Sequence, residues 1–152
     1  MILFLDFDGV LHPQYDGQQV PSDVAFCHLP RFEAVMRCFP NVEIVISSTW
    51  REQFELNTLR ARFSPDIALR IIGVTPLSAD MLTANEPKIR ECEIISWLQV
   101  NNRQGEEWIA IDDCAWQFNK HKNRLIVCKG YIGMDLDVEA KLRVAMAGSM
   151  TF

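Results

Sequence analysis

The chain has 152 residues, of which 49% are hydrophobic and 23% are charged, and its formal net charge at pH 7 is -5. This composition is typical of a globular domain and argues against a disordered or fibrous chain. The acidic balance argues against a general nucleic-acid coat and against an anionic membrane partner, although it leaves room for a local basic patch. The first apolar run ends at Asp6, too early for a signal peptide or a membrane-spanning helix.

The cysteines indicate a reducing compartment. There are five, an odd number, and no two of them form a CxxC pair. This pattern favours free thiols over a disulfide framework or a zinc site. We therefore expect a cytoplasmic protein.

Short apolar runs alternate with longer amphipathic stretches, which is typical of an α/β fold. The predicted strands cover residues 2–6, 42–47, 70–74, 108–112 and 125–127. The predicted helices cover residues 30–39, residues 51–63, a segment that starts near Pro87, and residues 138–147 with Asp135 or Asp137 as the N-cap. We expect three Rossmann-like layers, with a mainly parallel central sheet and helices on both faces. No repeat or linker divides residues 1–152, so a single domain is predicted.

Residues 9–29 match neither the helix period nor the strand period, because glycines and prolines interrupt them. A long irregular segment directly after a strand is often a functional loop. We expect this loop or flap to lie beside the carboxyl ends of the strands, where ligands bind in open α/β sheets.

Two carboxylates, Asp6 and Asp8, directly follow the first strand. Positions two apart in an extended strand point to the same side, so both should face one space. At a separation of ~4 Å they would repel by roughly 4 kcal/mol at an effective dielectric near 20. A divalent cation, a shared proton or solvent could offset this repulsion, and a cation is the usual reason for such a cluster.

Three further features accompany this acidic pair: Ser47-Ser48 after the second strand, Lys88 at the start of a helix, and Asp112-Asp113 after a later strand. In type and order the set resembles the haloacid-dehalogenase-like (HAD) superfamily of phosphotransferases, in which a D-x-D-G motif is followed by a Ser or Thr, a Lys and an acidic pair. The resemblance spans residues 1–128. It implies the HAD-like fold and a phosphatase that depends on Mg²⁺.

The resemblance also implies a role for each matched residue. Asp6 would be the nucleophile that takes the phosphoryl group, and Asp8 the general acid and base. Ser47 would bind the phosphoryl oxygens, and Lys88 would neutralise Asp6 and the phosphate. The implied Mg²⁺ ligands are Asp6, the backbone carbonyl of Asp8, and Asp113 with Asp112 as a second ligand or support.

The gaps between the motifs are too short for a folded cap domain, so an open site is expected. In the family, a missing cap accompanies large substrates such as proteins or nucleic-acid ends, although small substrates occur. The stretch from Ser47 to Arg51, together with residues 111–113, is most similar to small capless HAD domains of RNA-repair proteins. The phosphorylated substrate itself stays open, and so does the oligomeric state.

Several residues have a structural alternative. Ser48 and Arg51 are candidate substrate-binding residues, yet the serines could cap a helix and Arg51 could pair with a carboxylate. Trp50 could stack on a base, but packing under the loop is favoured. The same holds for Trp97, Trp108 and Trp116, which are expected to pack, and for His12 and His28, which are expected to be structural or surface residues. The basic run 120–124 could steer a polyanion or form a solvated loop.

Two other classes of function compete with a phosphatase. A receiver-type phosphoacceptor also uses an acidic Mg²⁺ pocket, but its phosphorylated Asp ends a central strand, whereas both key aspartates here follow the first. A non-catalytic binding module would keep the pocket without turnover, which the intact Asp8 disfavours. A stable aspartyl-phosphate would support the first alternative, and a failure of Mg²⁺ to elicit hydrolysis the second.

Overall fold

The computed structural model describes residues 1–15, 17, 19–77 and 89–148. Its five strands are β1 (Ile2–Leu5), β2 (Glu43–Ile46), β3 (Ile71–Val74), β4 (Trp108–Asp112) and β5 (Leu125–Val127). They form one parallel sheet in the order β3-β2-β1-β4-β5. The five strand predictions and the α/β fold class are confirmed.

Successive side chains of a strand point to opposite faces of the sheet, and both faces carry apolar side chains. Helices therefore cover both faces. Leu3 and Leu5 of β1 belong to one core cluster, whereas Ile2 and Phe4 belong to the other. All four side chains are fully buried. In a sheet covered on both faces, strands read as continuous apolar runs rather than alternating ones.

The helices are α1 (Leu29–Cys38), α2 (Leu56–Arg60), α3 (Pro65–Ala68), α4 (Ile89–Val100) and α5 (Leu136–Met146). The first layer contains α1 and α5, which contact each other, and also α2 and α3. Helix α4 covers the opposite face, where Trp97 packs edge-on against Phe4 with ring centroids 5.7 Å apart. The predicted three layers are therefore present.

Most predicted helices are confirmed, but the one over residues 51–63 is wrong as a single helix. A 3₁₀ turn, Thr49–Glu52, comes first, and the chain becomes extended at Glu55 (ψ 158°) before α2 begins. This turn directly follows β2, and it is capped by the Ser48 hydroxyl, which accepts a hydrogen bond from Trp50 N at 3.3 Å. For α5, the expected cap is Asp135, which accepts from Val138 N at 2.9 Å.

The loop after β1 is irregular as expected, and short backbone hydrogen bonds tie it to residues 129–134. Gln14 N donates to Gly130 O at 2.7 Å, and Met134 N donates to Val10 O at 2.8 Å. Because residues 129–134 follow β5, this contact closes the region around the carboxyl ends of the inner strands.

Strand order reverses between β1 and β4, the two neighbours at the centre of the sheet. In an open parallel sheet, a crevice forms at the carboxyl ends of the strands beside such a switch point. Asp6 follows β1 and Asp112 ends β4, so the fold places both at this crevice. None of the helices described here is long and apolar enough to cross a membrane.

Candidate active site

Asp6 is the buried centre of the site. Asp6 is 4% exposed, and its Oδ1 accepts a hydrogen bond from Phe7 N at 2.8 Å. Burial, and then the negative charge of Asp112, raise the pKa of Asp6 well above its ordinary value, while Arg90 opposes the shift. A metal-free site therefore favours the protonated carboxyl group, and a cation beside Asp6 would favour the carboxylate.

Asp112 and Asp113 lie beside Asp6, at the end of the neighbouring strand β4. Asp112 Oδ1 accepts from Cys114 N at 2.8 Å, and its Oδ2 lies 3.1 Å from Arg90 Nη1. Asp113 is less buried, and burial followed by the charge of Asp112 raises its pKa. The predicted convergence of the two acidic motifs is therefore present in the structure.

Among the residues that the structure describes, Arg90 in the first turn of α4 is a cation that lies among these carboxylates. Its Nη1 lies 3.5 Å from Asp6 Oδ1 and 3.1 Å from Asp112 Oδ2. Burial opposes its charge, but Asp6 and Asp112 outweigh burial and raise the pKa of Arg90. The guanidinium therefore stays charged and offsets part of the repulsion between the acids.

Asp8 is held by two side chains that come from different segments. Its Oδ1 lies 2.8 Å from His12 Nε2, and its Oδ2 accepts from Trp50 Nε1 at 3.1 Å. His12 is fully buried, while the Asp8 side chain keeps 34% of its surface exposed. The favoured interpretation of Trp50 as a packing residue is confirmed by its ring contacts with Phe7 and Phe26.

The two serines after β2 are buried, and their backbone continues the sheet. Ser47 N donates to Leu5 O at 2.9 Å, which places Ser47 directly beside the end of β1. The Ser48 hydroxyl accepts from Trp50 N and so caps the 3₁₀ turn, one of the two roles left open for it. Its expected contact with substrate stays a prediction, as does that of Ser47.

The guanidinium of Arg51 is fully engaged by groups of the protein itself, which argues against the expectation that it clamps a phosphate. Its five N–H groups are used by the carbonyls of residues 47, 48, 75 and 76 and by the carboxylate of Glu93, at 2.9 to 3.1 Å. A guanidinium has five N–H donors, so none is left for a substrate in this arrangement. The alternative, pairing with a carboxylate, holds.

Sequence reasoning missed Arg90, His12 and the bond from Trp50 to Asp8. The expected cation, Lys88, lies outside the described residues, and its role stays a prediction. A second basic residue two positions after Lys88 was visible in the sequence. For His12, the one signal was its place in the polar loop four residues after Asp8.

Of the three tryptophans that were expected to pack, Trp116 is exposed instead. Trp97 and Trp108 are buried as predicted, but Trp116 is 64% exposed, three residues after Asp113. A 3₁₀ turn, Ala115–Gln117, holds it at the surface instead of in the core. In the basic run, Arg124 donates to Trp108 O at 3.1 Å and stacks 5.2 Å from that ring, so part of the run serves the fold.

The donor set fits a hard cation such as Mg²⁺. Ligand atoms of Asp112, Asp113 and Cys114 lie within 4.8 Å of one another, and Asp6 faces the same acids. Burial, followed by the charges of Asp113 and Asp112, raises the pKa of the Cys114 thiol to about 12. The thiol is therefore neutral in the metal-free site. The carboxylate oxygens of the set are the ligands that Mg²⁺ prefers.

Two glycines lie against the carboxylate of Asp113. A Cβ at Gly130 would lie 2.6 Å from Asp113 Oδ2, and a Cβ at Gly9 would also collide with that carboxylate. Gly9 in addition has a φ of +75°, which disfavours other residues. Both positions let the backbone approach Asp113 closely.

A parallel sheet of this order, with an Asp-x-Asp motif after the first strand and an acidic pair after the fourth, defines a HAD-like domain. A family model described as the HAD domain in Swiss Army Knife RNA repair proteins matches residues 2–138. The chain belongs to this family, which indicates a phosphatase-like hydrolase. Neither the curated proteins nor the solved structures contain a match to the chain.

Proposed function

We propose that the chain is a Mg²⁺-dependent phosphomonoester hydrolase that works through an aspartyl-phosphate on Asp6. One observation carries this proposal: Asp6 and Asp112 meet around the buried guanidinium of Arg90. A carboxylate attacks a phosphate dianion poorly unless cations neutralise the charge between them. A buried acid beside a fixed cation is the environment that such a nucleophile requires.

The reaction has two steps in this proposal. A carboxylate oxygen of Asp6 attacks phosphorus, and the bond to the leaving oxygen breaks as Asp8 gives that oxygen a proton. Water then attacks the phosphorus of the acyl phosphate on Asp6, the bond between that phosphorus and the Asp6 oxygen breaks, and Asp8 takes a proton from this water. Inorganic phosphate leaves, and the Asp6 carboxylate is restored.

The surrounding residues would bind the phosphoryl group and the metal. The Ser47 hydroxyl would donate to a phosphoryl oxygen, and Arg90 with Lys88 would neutralise the negative charge. When bound, Mg²⁺ would polarise the phosphoryl group and screen it from Asp6. Its proposed protein ligands are Asp6, the Asp8 carbonyl and Asp113.

Asp112 is the supporting residue in this scheme rather than a direct ligand. Both of its oxygens already accept hydrogen bonds, one from Cys114 N and one from Arg90. Asp113 faces Gly9 and Gly130. Its carboxylate contacts the Cys114 thiol, 3.4 Å from Oδ1, which is a weak donor, and the carboxyl group of Asp6. Asp113 is therefore the better candidate for direct coordination.

The test is phosphate release from an aryl phosphate by wild type and by Asp6→Asn. We expect the variant to be folded and inactive, and excess chelator to abolish the wild-type activity until Mg²⁺ is restored. Asp137→Asn is a matched control, because Asp137 lies on the exposed side of α5 and pairs with Lys141 at 2.7 Å. Full activity of Asp6→Asn or of the chelated enzyme would refute the proposal. A lasting phosphoryl-Asp6 without turnover would instead indicate a receiver-like module.

For the substrate, we propose a phosphorylated nucleic-acid end. Two aromatic side chains are exposed on segments that flank Asp113: Trp116 at 64% and Tyr131 at 75%. Tyr131 follows Gly130, whose backbone lies against the Asp113 carboxylate. Exposed aromatic rings beside a phosphate site can stack on nucleobases, and each stacked base contributes about 1–3 kcal/mol.

A substrate screen tests this second proposal. It compares nucleoside monophosphates, sugar phosphates and short oligonucleotides with a 3′- or 5′-phosphate. We expect oligonucleotides to be preferred, and Trp116→Ala and Tyr131→Ala to raise their KM by about tenfold without affecting a small aryl phosphate. Leu69→Ala is the control, since Leu69 is 86% exposed after α3. Equal activity on sugar phosphates, or no effect of the two variants, would refute it.

A further inference from the structure

The carboxyl group of Asp8 is fixed at both oxygens by residues outside the acidic motif. Trp50 Nε1 donates to Oδ2 at 3.1 Å, and His12 Nε2 lies 2.8 Å from Oδ1. The two side chains come from different places, the loop after β1 and the 3₁₀ turn after β2. Rotation of the carboxyl group about its last side-chain bond would break both contacts.

The backbone decides which nitrogen of His12 carries the proton. Phe26 N donates a hydrogen bond to His12 Nδ1 at 3.2 Å, so Nδ1 is an acceptor and holds no proton. Nε2 then carries the hydrogen of the neutral ring and donates it to Asp8. Phe26 has a φ of +58°, a conformation that is costly for a residue other than glycine and that recurs at functional sites.

Packing keeps the His12 ring in this orientation. The ring is fully buried and packs edge-on against Phe26, with centroids 5.2 Å apart. Trp50 packs against the same Phe26 ring at 5.3 Å, and its ring centroid lies 6.0 Å from that of His12. The two donors to Asp8 therefore belong to one rigid aromatic cluster.

We infer that His12 and Trp50 are positioning residues that hold the Asp8 carboxyl group where it protonates the leaving oxygen. Each carboxylate oxygen has two lone pairs and accepts one of these two hydrogen bonds, so a lone pair remains on each oxygen. These remaining lone pairs stay available to the catalytic proton and the substrate, consistent with the partial exposure of Asp8. A group held in place before reaction avoids the cost of orienting it in the transition state. This inference rests on the proposed function.

The first test varies the leaving group, because an acid is needed most when that group is a poor one. It measures kcat/KM, which covers the steps through transfer to Asp6, for an alkyl phosphate and for an activated nitroaryl phosphate. We expect His12→Phe and Trp50→Phe to reduce kcat/KM for the alkyl phosphate by about tenfold or more beyond their effect on the nitroaryl phosphate. Asp8→Ala should show the same selectivity between the two substrates. Adding His12→Phe to Asp8→Ala should reduce kcat/KM for the alkyl phosphate only a little further.

Two further variants separate positioning from packing. His12→Gln carries an amide N–H at nearly the position of Nε2, so it should recover part of the loss. Phe54→Leu changes the same cluster, since Phe54 lies 5.6 Å from the Trp50 ring, but it donates nothing to Asp8. It should not change the ratio between the two substrates. An equal loss for both substrates in His12→Phe and Trp50→Phe, or additive losses with Asp8→Ala, would overturn the inference.

A spectroscopic measurement is independent of turnover. Long-range ¹H–¹⁵N spectra of the metal-free protein should show His12 as the Nε2–H tautomer, and a Nδ1–H tautomer would overturn the inference. Failure of the proposed function is distinguishable, because wild type would then hydrolyse neither substrate. Failure of the positioning role would leave wild type active and the leaving-group ratio unchanged in the variants. If His12→Phe does not fold, Trp50→Phe carries the kinetic test.

Discussion

Asp112 and Asp113 are neighbours in the chain, yet their carboxylates have different partners. Asp112 is 1% exposed and is held by Cys114 N and Arg90, whereas Asp113 lies against the backbone of two glycines. Successive residues leaving a strand point to opposite sides. In the proposed scheme, Asp112 supports the guanidinium of Arg90 and Asp113 coordinates the Mg²⁺ ion.

Gly130→Ala tests this division at the scale of one residue. The added Cβ would lie 2.6 Å from Asp113 Oδ2 and 3.3 Å from Gln14 Oε1, so the carboxylate must shift. Because metal coordination tolerates little displacement, we expect the Mg²⁺ concentration for half-maximal activity to rise by about tenfold. Titration of activity with Mg²⁺ measures this.

Gly105→Ala provides the matched control for the glycine substitution. A Cβ at Gly105 would meet nothing within 4 Å, so its Mg²⁺ requirement should equal that of wild type. A wild-type Mg²⁺ requirement in Gly130→Ala would show that Asp113 does not bind the ion.

At the scale of the elements, sequence reasoning succeeded where one short segment determines the outcome. Strands β1, β2 and β4 are largely buried apolar runs bounded by polar residues, and Asp6, Ser47 and Asp112 lie at the ends that a parallel sheet brings together. The prediction of a single helix over residues 51–63 was wrong because the chain is extended at Glu55. Helical periodicity does not reveal a break that tertiary contacts impose.

The residues that were missed depend on orientation rather than on position in the chain. Arg90 lies in the first turn of α4, and the sequence alone does not indicate which side of that turn faces the carboxylates. Likewise, His12 reaches Asp8 through an irregular loop, in which spacing does not predict contact. For Arg51 the sequence left two roles open, because its partner Glu93 lies on a different element.

Arg90 makes helix α4 part of the candidate active site, and its substitution tests that role. Arg90→Met removes the charge that lowers the pKa of Asp6, so the nucleophile is protonated more often and the phosphate loses a donor. We expect kcat/KM for an aryl phosphate to fall by about a hundredfold. Arg90→Lys keeps the charge and should retain part of the activity.

Two comparisons complete this test. Lys88→Met reports the contribution of the predicted lysine, and a larger loss in Arg90→Met would assign most of the neutralisation to Arg90. Arg37→Met controls for the removal of an arginine, since Arg37 pairs with the exposed Asp66 at 2.8 Å. Unchanged activity in Arg90→Met, with an inactive Lys88→Met, would contradict the role given to Arg90.

At the scale of the whole molecule, the sheet gathers like charges that the fold must tolerate. Asp6 and Asp112 are buried at the ends of adjacent strands, and each residue is less than 5% exposed. Arg90 compensates only part of this charge, because the pKa of Asp6 remains raised by burial and by Asp112. The acidic site therefore lowers the stability of the metal-free protein, as functional sites often do.

The unfavourable burial of Asp6 predicts how the free energy of unfolding depends on pH and on Mg²⁺. The pKa of Asp6 is 3.8 in an ordinary setting and well above that in the folded, metal-free protein. Between these two values the folded state binds more protons than the unfolded chain, so stability falls as pH rises, by up to about 1.4 kcal/mol per pH unit for one proton. Urea unfolding in chelator across this window should show the slope, and Asp6→Asn should reduce it because the amide does not titrate.

With Mg²⁺ present the stabilisation should grow with pH, since the ion competes with the proton for Asp6. The same slope in Asp6→Asn, or stabilisation by Mg²⁺ that is independent of pH, would contradict the burial of an ionisable Asp6 at the metal site.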